Sequence, residues 1–95
     1  MNVEQALEIK AEKNAAKIAA KYEGNKEVYK KKLLEGSMMS IGSVWEKDGY
    51  KRIYFNNYGV YYDFETESFI EEKFYVEQKT DFDGFYKRLV SEILD

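Results

Sequence analysis

Carboxylates are almost the only residues in this chain with the means to do chemistry. It contains no histidine and no cysteine. Proton transfer at neutral pH would therefore fall to a tuned Asp, Glu or Lys, and no serine stands in a nucleophile motif. The acids crowd into one stretch: Asp63, Glu65, Glu67, Glu71, Glu72, Glu77, Asp81 and Asp83, with only Lys73 and Lys79 among them. "DFDG" at 81–84 resembles a fragment of a calcium loop. It lacks the remaining oxygen ligands and the terminal Glu of such a loop, so it reads as a helix cap. Glu71 and Glu72 would need a third acid to hold a divalent ion, and adjacent strand residues face opposite ways. The glycines lie outside any phosphate-loop context. These residues point to no enzyme, no metal and no cofactor.

What the acids can do is bind. In an extended strand Asp63, Glu65 and Glu67 would share one face at intervals of about 6.6–7 Å. That repeat is comparable to the run of phosphates along a nucleic-acid strand, and it suggests a nucleic-acid mimic that docks on a basic surface. The competing reading is solvated acid that keeps strand edges from aggregating.

The second chemical feature is "YKRIYFNNYGVYYDFETE", residues 50–67, which holds five of the nine tyrosines. Strand alternation sends Ile53, Phe55, Val60, Tyr62 and Phe64 to one side, with Phe74 and Val76. The other side receives Tyr50, Arg52, Tyr54, Tyr61, Asp63, Glu65, Tyr75 and Glu77. Such tyrosines either shield the sheet through cross-strand pairs, lie beneath the first helix, or form an interface. The expected partner-binding set is Tyr54, Tyr61, Asp63, Glu65, Glu67, Glu71, Glu72, Tyr75 and Glu77. The alternative is nucleic-acid binding, with Tyr50, Arg52, Tyr54 and Tyr61 stacking bases and "KKK" at 30–32 contacting phosphates. Asp63, Glu65 and Glu77 would repel the backbone there.

These surfaces must be positioned by an α+β domain. In "VEQALEIKAEKNAAKIAAKY" the residues Leu7, Ala11, Ala15, Ile18 and Tyr22 recur at helical spacing. The like-signed pairs Glu4/Glu8, Glu8/Glu12 and Lys13/Lys17 band its polar face. "EGN" at 23–25 marks a cap or kink, and "KEVYKKKLL" continues as a helix ending at Gly36. "KDG" and "NNYG" predict two hairpin turns, and "TESF" predicts a third before a strand in "KFYVEQ". The sheet is thus an antiparallel meander of three to four strands. "TDFDGFYKRLVSEILD" closes the chain as a helix capped by Thr80 or Asp81, with Phe82, Phe85, Leu89 and Ile93 on one stripe.

At 95 residues, with no Pro/Gly/Ser-rich linker, the chain is expected to be a single domain, 1–95. The absence of cysteine gives no reason to expect an oxidising compartment. Charges every few positions in "MNVEQALEIKAEKN" argue against a signal peptide. No apolar run reaches the length of a membrane span, so the expected setting is the cytoplasm. The net charge of −3 hides a polarity: residues 61–95 hold ten acids and four bases. That balance disfavours nucleic acid and favours a basic partner. A homodimer through Leu7, Ala11, Ile18 and Tyr22 of the first helix is the alternative to a monomer.

The segment "WEKDGYKRIYFNNYG", residues 45–59, resembles a stretch found in short proteins of phages and mobile elements. The whole, a small acidic domain without an enzyme signature, resembles phage anti-defence proteins of the anti-CRISPR kind. The resemblance implies stoichiometric occlusion of a basic nucleic-acid channel or subunit contact on a host protein or ribonucleoprotein defence complex, within the bacterial cytoplasm.

Overall fold

The computed structural model describes residues 1–73 and 79–95. The elements run α1 (Val3–Lys13), α2 (Ala15–Lys21), α3 (Lys26–Ile41), β1 (Ser43–Lys47), β2 (Tyr50–Phe55), β3 (Val60–Asp63), β4 (Ser68–Glu71) and α4 (Phe82–Leu94). This is the α+β order expected, with the meander between N-terminal and C-terminal helices.

Each helix is bounded by local chemistry. Asn2 and Gln5 form a reciprocal capping box at α1, each side-chain oxygen accepting from the other's backbone N–H at 2.8 Å. Asn14, at φ −113° and ψ 28°, then breaks the helix, and its side-chain amide donates to the Lys10 carbonyl at 2.9 Å. The continuous stripe predicted through Ala15 is therefore interrupted: Ala15 is exposed, while Leu7, Ala11 and Ile18 are buried. The "EGN" turn closes α2 through Gly24 N–H to Ile18 O at 3.1 Å, with Glu23 and Gly24 both at positive φ. Asn25 caps α3 by accepting from Val28 N–H at 3.2 Å. That helix does not stop at Gly36 but runs to Ile41. Burial of Ser37 and Met38 beyond the glycine outweighs its poor helix propensity. Asp81 caps α4, its carboxylate accepting from Gly84 N–H at 2.8 Å, which accounts for one acid of "DFDG".

The sheet is antiparallel in the order β1-β2-β3-β4. Asp48 and Gly49 form the first turn at φ 52° and 83°, the left-handed pair that a two-residue hairpin needs. The third turn falls at 64–67, not at "TESF". Asp63 accepts from the N–H of Glu65 at 2.8 Å and of Thr66 at 3.4 Å, an Asx turn that starts β4 at Ser68. The strand expected in "KFYVEQ", with Phe74 and Val76, lies almost wholly outside the described residues.

Ile53, Phe55, Val60 and Tyr62 are buried on the inner face, as alternation requires. Phe85 from α4 sits at the centre, its ring 4.5 Å from Phe55, 5.1 Å from Phe69 and 6.0 Å from Tyr58. Leu89 and Ile93 of α4, Met38 of α3 and Ala6 and Leu7 of α1 complete this cluster. A second cluster of Ala11, Ile18 and Tyr29, with Tyr22 and Leu33 against it, ties α1 and α2 to α3. The stripe proposed for a helix-one dimer is thus consumed inside the protomer, because α3 and α4 already cover it.

The banded charges of α1 also find their reason here. Lys30 of α3, with a side chain only 7% exposed, donates to Glu4 and Glu8 at 2.7 Å each and to Glu27 at 3.4 Å. Like charges on α1 are held together by one cation from the next helix. The hydrogen bonds of Glu4 and then Glu8 raise the Lys30 pKa well above its ordinary value. Lys26 first, and then Lys30, hold the Glu8 carboxyl below its ordinary value. Among the described residues no helix is long and apolar enough to cross a membrane.

Candidate interaction face on the open side of the sheet

The helices pack on the face that carries Phe55 and Phe69, and among the described residues the opposite face holds the outward residues of each strand. Register decides which side chains meet there. Trp45, Arg52 and Asp63 stand opposite one another across β1, β2 and β3. Ser43, Tyr54, Tyr61 and Ile70 form the next row. The first helix does not lie over them.

The two rows interlock around Arg52. Its guanidinium donates to the Tyr54 hydroxyl at 3.1 Å and lies 4.8 Å from the Tyr61 ring centroid and 5.8 Å from that of Trp45. Its Nε is 3.8 Å from the Asp63 carboxylate. Tyr54 meets Trp45 edge-on at 6.5 Å and Tyr61 at 5.4 Å. The Tyr54 hydroxyl first, with the charges of Tyr61 and Asp63 behind it, raises the Arg52 pKa above its ordinary value against the cost of desolvation, and a guanidinium is charged at any working pH. Trp45 and Tyr50 keep 40% and 54% of their surface exposed, while Arg52, Tyr54 and Tyr61 are half-buried. The result is a rigid plate of aromatic surface with one internally compensated charge, a composition typical of binding hot spots.

Of the residues expected to bind, Tyr54, Tyr61 and Asp63 come together here, and Tyr50 extends the plate at its turn end. The acids do not form the expected ladder. β3 ends at Asp63, so Glu65 and Glu67 sit in a turn instead of along a strand. Asp63 faces Arg52, and Glu67, at φ 53°, pairs with Lys31 at 3.2 Å. Glu71 ends β4 in register with Val60, on the other face. Glu72 is buried at 8% exposure, where burial raises its carboxyl pKa and its Oε2 has no hydrogen-bond partner. Tyr75 and Glu77 lie outside the described residues. The acidic stretch is therefore divided: Asp63, Glu65 and Glu67 lie at one end of the meander. Glu71, Glu72 and Asp81 lie at the other, where Asp81 N–H donates to Tyr58 O at 2.9 Å. Among the described residues these acids form no phosphate-like row.

The basic run fares likewise. Lys30 is enclosed by three glutamates, Lys31 pairs with Glu67, and Lys32 lies over the Tyr22 ring at 5.4 Å. Sequence reading missed Trp45. Its signal was present: the two-residue Asp48-Gly49 turn sets Lys47 opposite Tyr50 and hence Trp45 opposite Arg52. Among the described residues no group of three or more acids is arranged to hold a metal ion. Comparison with protein-family models, curated proteins and solved structures finds no match.

Proposed function

We propose that this protein is a binding module that docks a protein partner through the open face of its sheet. The observation that carries the reading is the interlocked set Trp45, Arg52, Tyr54 and Tyr61 on the side turned away from the helices. Trp, Tyr and Arg are the residues that dominate binding energy at protein interfaces, and here their rotamers are restrained before any partner arrives. Asp63 offsets the charge of Arg52, so the face supplies aromatic surface without a free phosphate clamp, which favours protein over nucleic acid. The turns at 48–49 and 64–67 lie at the same end of the meander and place Asp48 and Glu65 at its rim, favouring a basic partner surface. Stoichiometric inhibition of a host nucleic-acid-binding defence complex is the form this takes on the resemblance of the whole domain to phage anti-defence proteins of the anti-CRISPR kind.

Trp45 is the only tryptophan and lies in the face, so its emission reports occupancy directly. Titration with a reconstituted RNA-guided defence complex is expected to change that emission, and titration with a single-stranded oligonucleotide is not. Arg52→Ala and Tyr61→Ala should weaken the complex at least tenfold while the domain stays folded. Oligonucleotide binding with a steep salt dependence would overturn the reading in favour of base stacking on the same plate.

A further inference from the structure

β1 is an edge strand, and all five of its residues are exposed. It carries no proline and no bulge, and the charges of Glu46 and Lys47 at its turn end are its devices against edge pairing. The backbone groups it offers follow from register. Phe64 N–H donates to Lys51 O at 3.2 Å, so the odd residues of β2 turn their backbone groups toward β3. Tyr50, Arg52 and Tyr54 then turn theirs toward β1, where they occupy Lys47, Trp45 and Ser43. Val44 and Glu46 are left with N–H and C=O pointing outward.

We propose that β1 pairs antiparallel with β1 of a second copy about a two-fold axis at Trp45, joining two meanders into one sheet. In this register Val44 of each copy exchanges backbone bonds with Glu46 of the other, giving about four hydrogen bonds. The two Trp45 residues face each other as a non-hydrogen-bonded pair, with side chains at their closest cross-strand spacing.

Charge and hydrogen bonding select this register over its neighbours. A slip by two in one direction sets Glu46 against its own twin, like charges directly opposite. A slip in the other direction sets Gly42 against Glu46, but the Gly42 N–H already donates to Met38 O at 2.9 Å. In the centred register Glu46 meets Val44 and Lys47 meets Ser43, so no like charges oppose. Val44 and Trp45, two of the exposed large hydrophobic residues, both become covered. The edge is complementary to itself in bonds, charge and apolar surface, which is why a second copy is its occupant. So short an edge buries less than permanent dimers do, so association is concentration-dependent. The edge shares Trp45 with the open face, but its test reads self-association of the chain alone, so the two inferences stand or fall separately.

The test is sedimentation velocity of the full chain from about 1 μM to about 1 mM, with Trp45 emission followed over the same series. A monomer–dimer equilibrium with an emission change on association is expected. Val44→Glu places two carboxylate pairs face to face and should weaken the dimer roughly 2- to 30-fold. Val44→Lys sets opposite charges against Glu46 and should preserve or strengthen it. Circular dichroism checks that both variants fold. A single species of monomer mass throughout would overturn the proposal. Equal weakening by both variants would also overturn it, since it would mean that Val44 acts as an apolar contact and not as a member of a paired strand.

Discussion

Two glycines six residues apart are expected to respond to alanine in opposite directions, and the contrast tests how α3 delivers the chain to the sheet. Gly36 lies inside α3, and a β-carbon there would meet no atom within 4 Å. Alanine removes the helix-interior cost of glycine, about 0.5–1 kcal/mol. For a domain of this size that raises the unfolding midpoint by roughly 2–8 °C. Gly42 ends the same helix where it passes over β2. A β-carbon there would fall onto Ile53 Cγ2 and lie 2.7 and 2.9 Å from two carbons of the Phe55 ring. Both residues are buried, so neither can swing aside without disturbing the core. Overpacking of this kind costs about 1–3 kcal/mol, a fall of roughly 4–24 °C. Thermal unfolding by circular dichroism with a urea series reads both, and Trp45 emission should shift in Gly42→Ala because β1 begins one residue later. If Gly36→Ala destabilises, the helix ends at Gly36, as the sequence alone suggests. If Gly42→Ala matches the native protein, the close approach of α3 to β2 is wrong, and with it the aim of β1.

Phe85→Ala should cost about 3–5 kcal/mol, a large part of the stability of a small domain, because its ring touches Phe55, Phe69 and Tyr58 at once. Chemical denaturation measures this, and a loss below about 1 kcal/mol would refute the central place given to Phe85. For Glu72, burial raises the carboxyl pKa above the ordinary 4.5, so the folded chain holds that proton more tightly than the unfolded one. Stability contributed by the protonated acid is therefore present below about pH 4.5 and lost as pH rises through the raised value. Glu72→Gln should be more stable than the native protein near pH 7 and lose that advantage near pH 4. A gap that does not change with pH would refute the cause.

The legible parts of this fold are those dictated by local rules. The Asp48-Gly49 turn, the inner row Ile53, Phe55, Val60 and Tyr62, the Asp81 cap and the stripe of α4 all follow from the turn's positive φ, period-two alternation, capping and helical spacing. The sequence misleads where a tertiary contact outranks a local preference. Gly36 reads as a stop, but burial of Met38 carries α3 onward. Glu65 and Glu67 read as strand, but the Asp63 carboxylate collects the N–H groups of Glu65 and Thr66 and turns the chain. Lys30 reads as a phosphate contact because two of the three carboxylates that enclose it, Glu4 and Glu8, come from α1, more than twenty residues away. The face of the candidate site was half legible: Tyr50, Arg52, Tyr54 and Tyr61 follow from alternation within two strands. Trp45 required carrying the register across the first turn.

The two sets of aromatic residues divide the work between folding and binding. The inner set, centred on Phe85 with Phe55, Tyr62 and Phe69, forms one continuous core with the helices. Trp45, Tyr54 and Tyr61 form no part of that cluster, and Arg52 holds them to one another, not to a helix. Removing a ring from the inner set opens a cavity, whereas removing one from the outer set leaves a solvated gap on a sheet whose other side is still covered. Substitutions at Trp45, Arg52 and Tyr61 should therefore separate affinity from stability. A face that can lose its contacts without unfolding the domain is one whose side chains are free to be chosen for a partner.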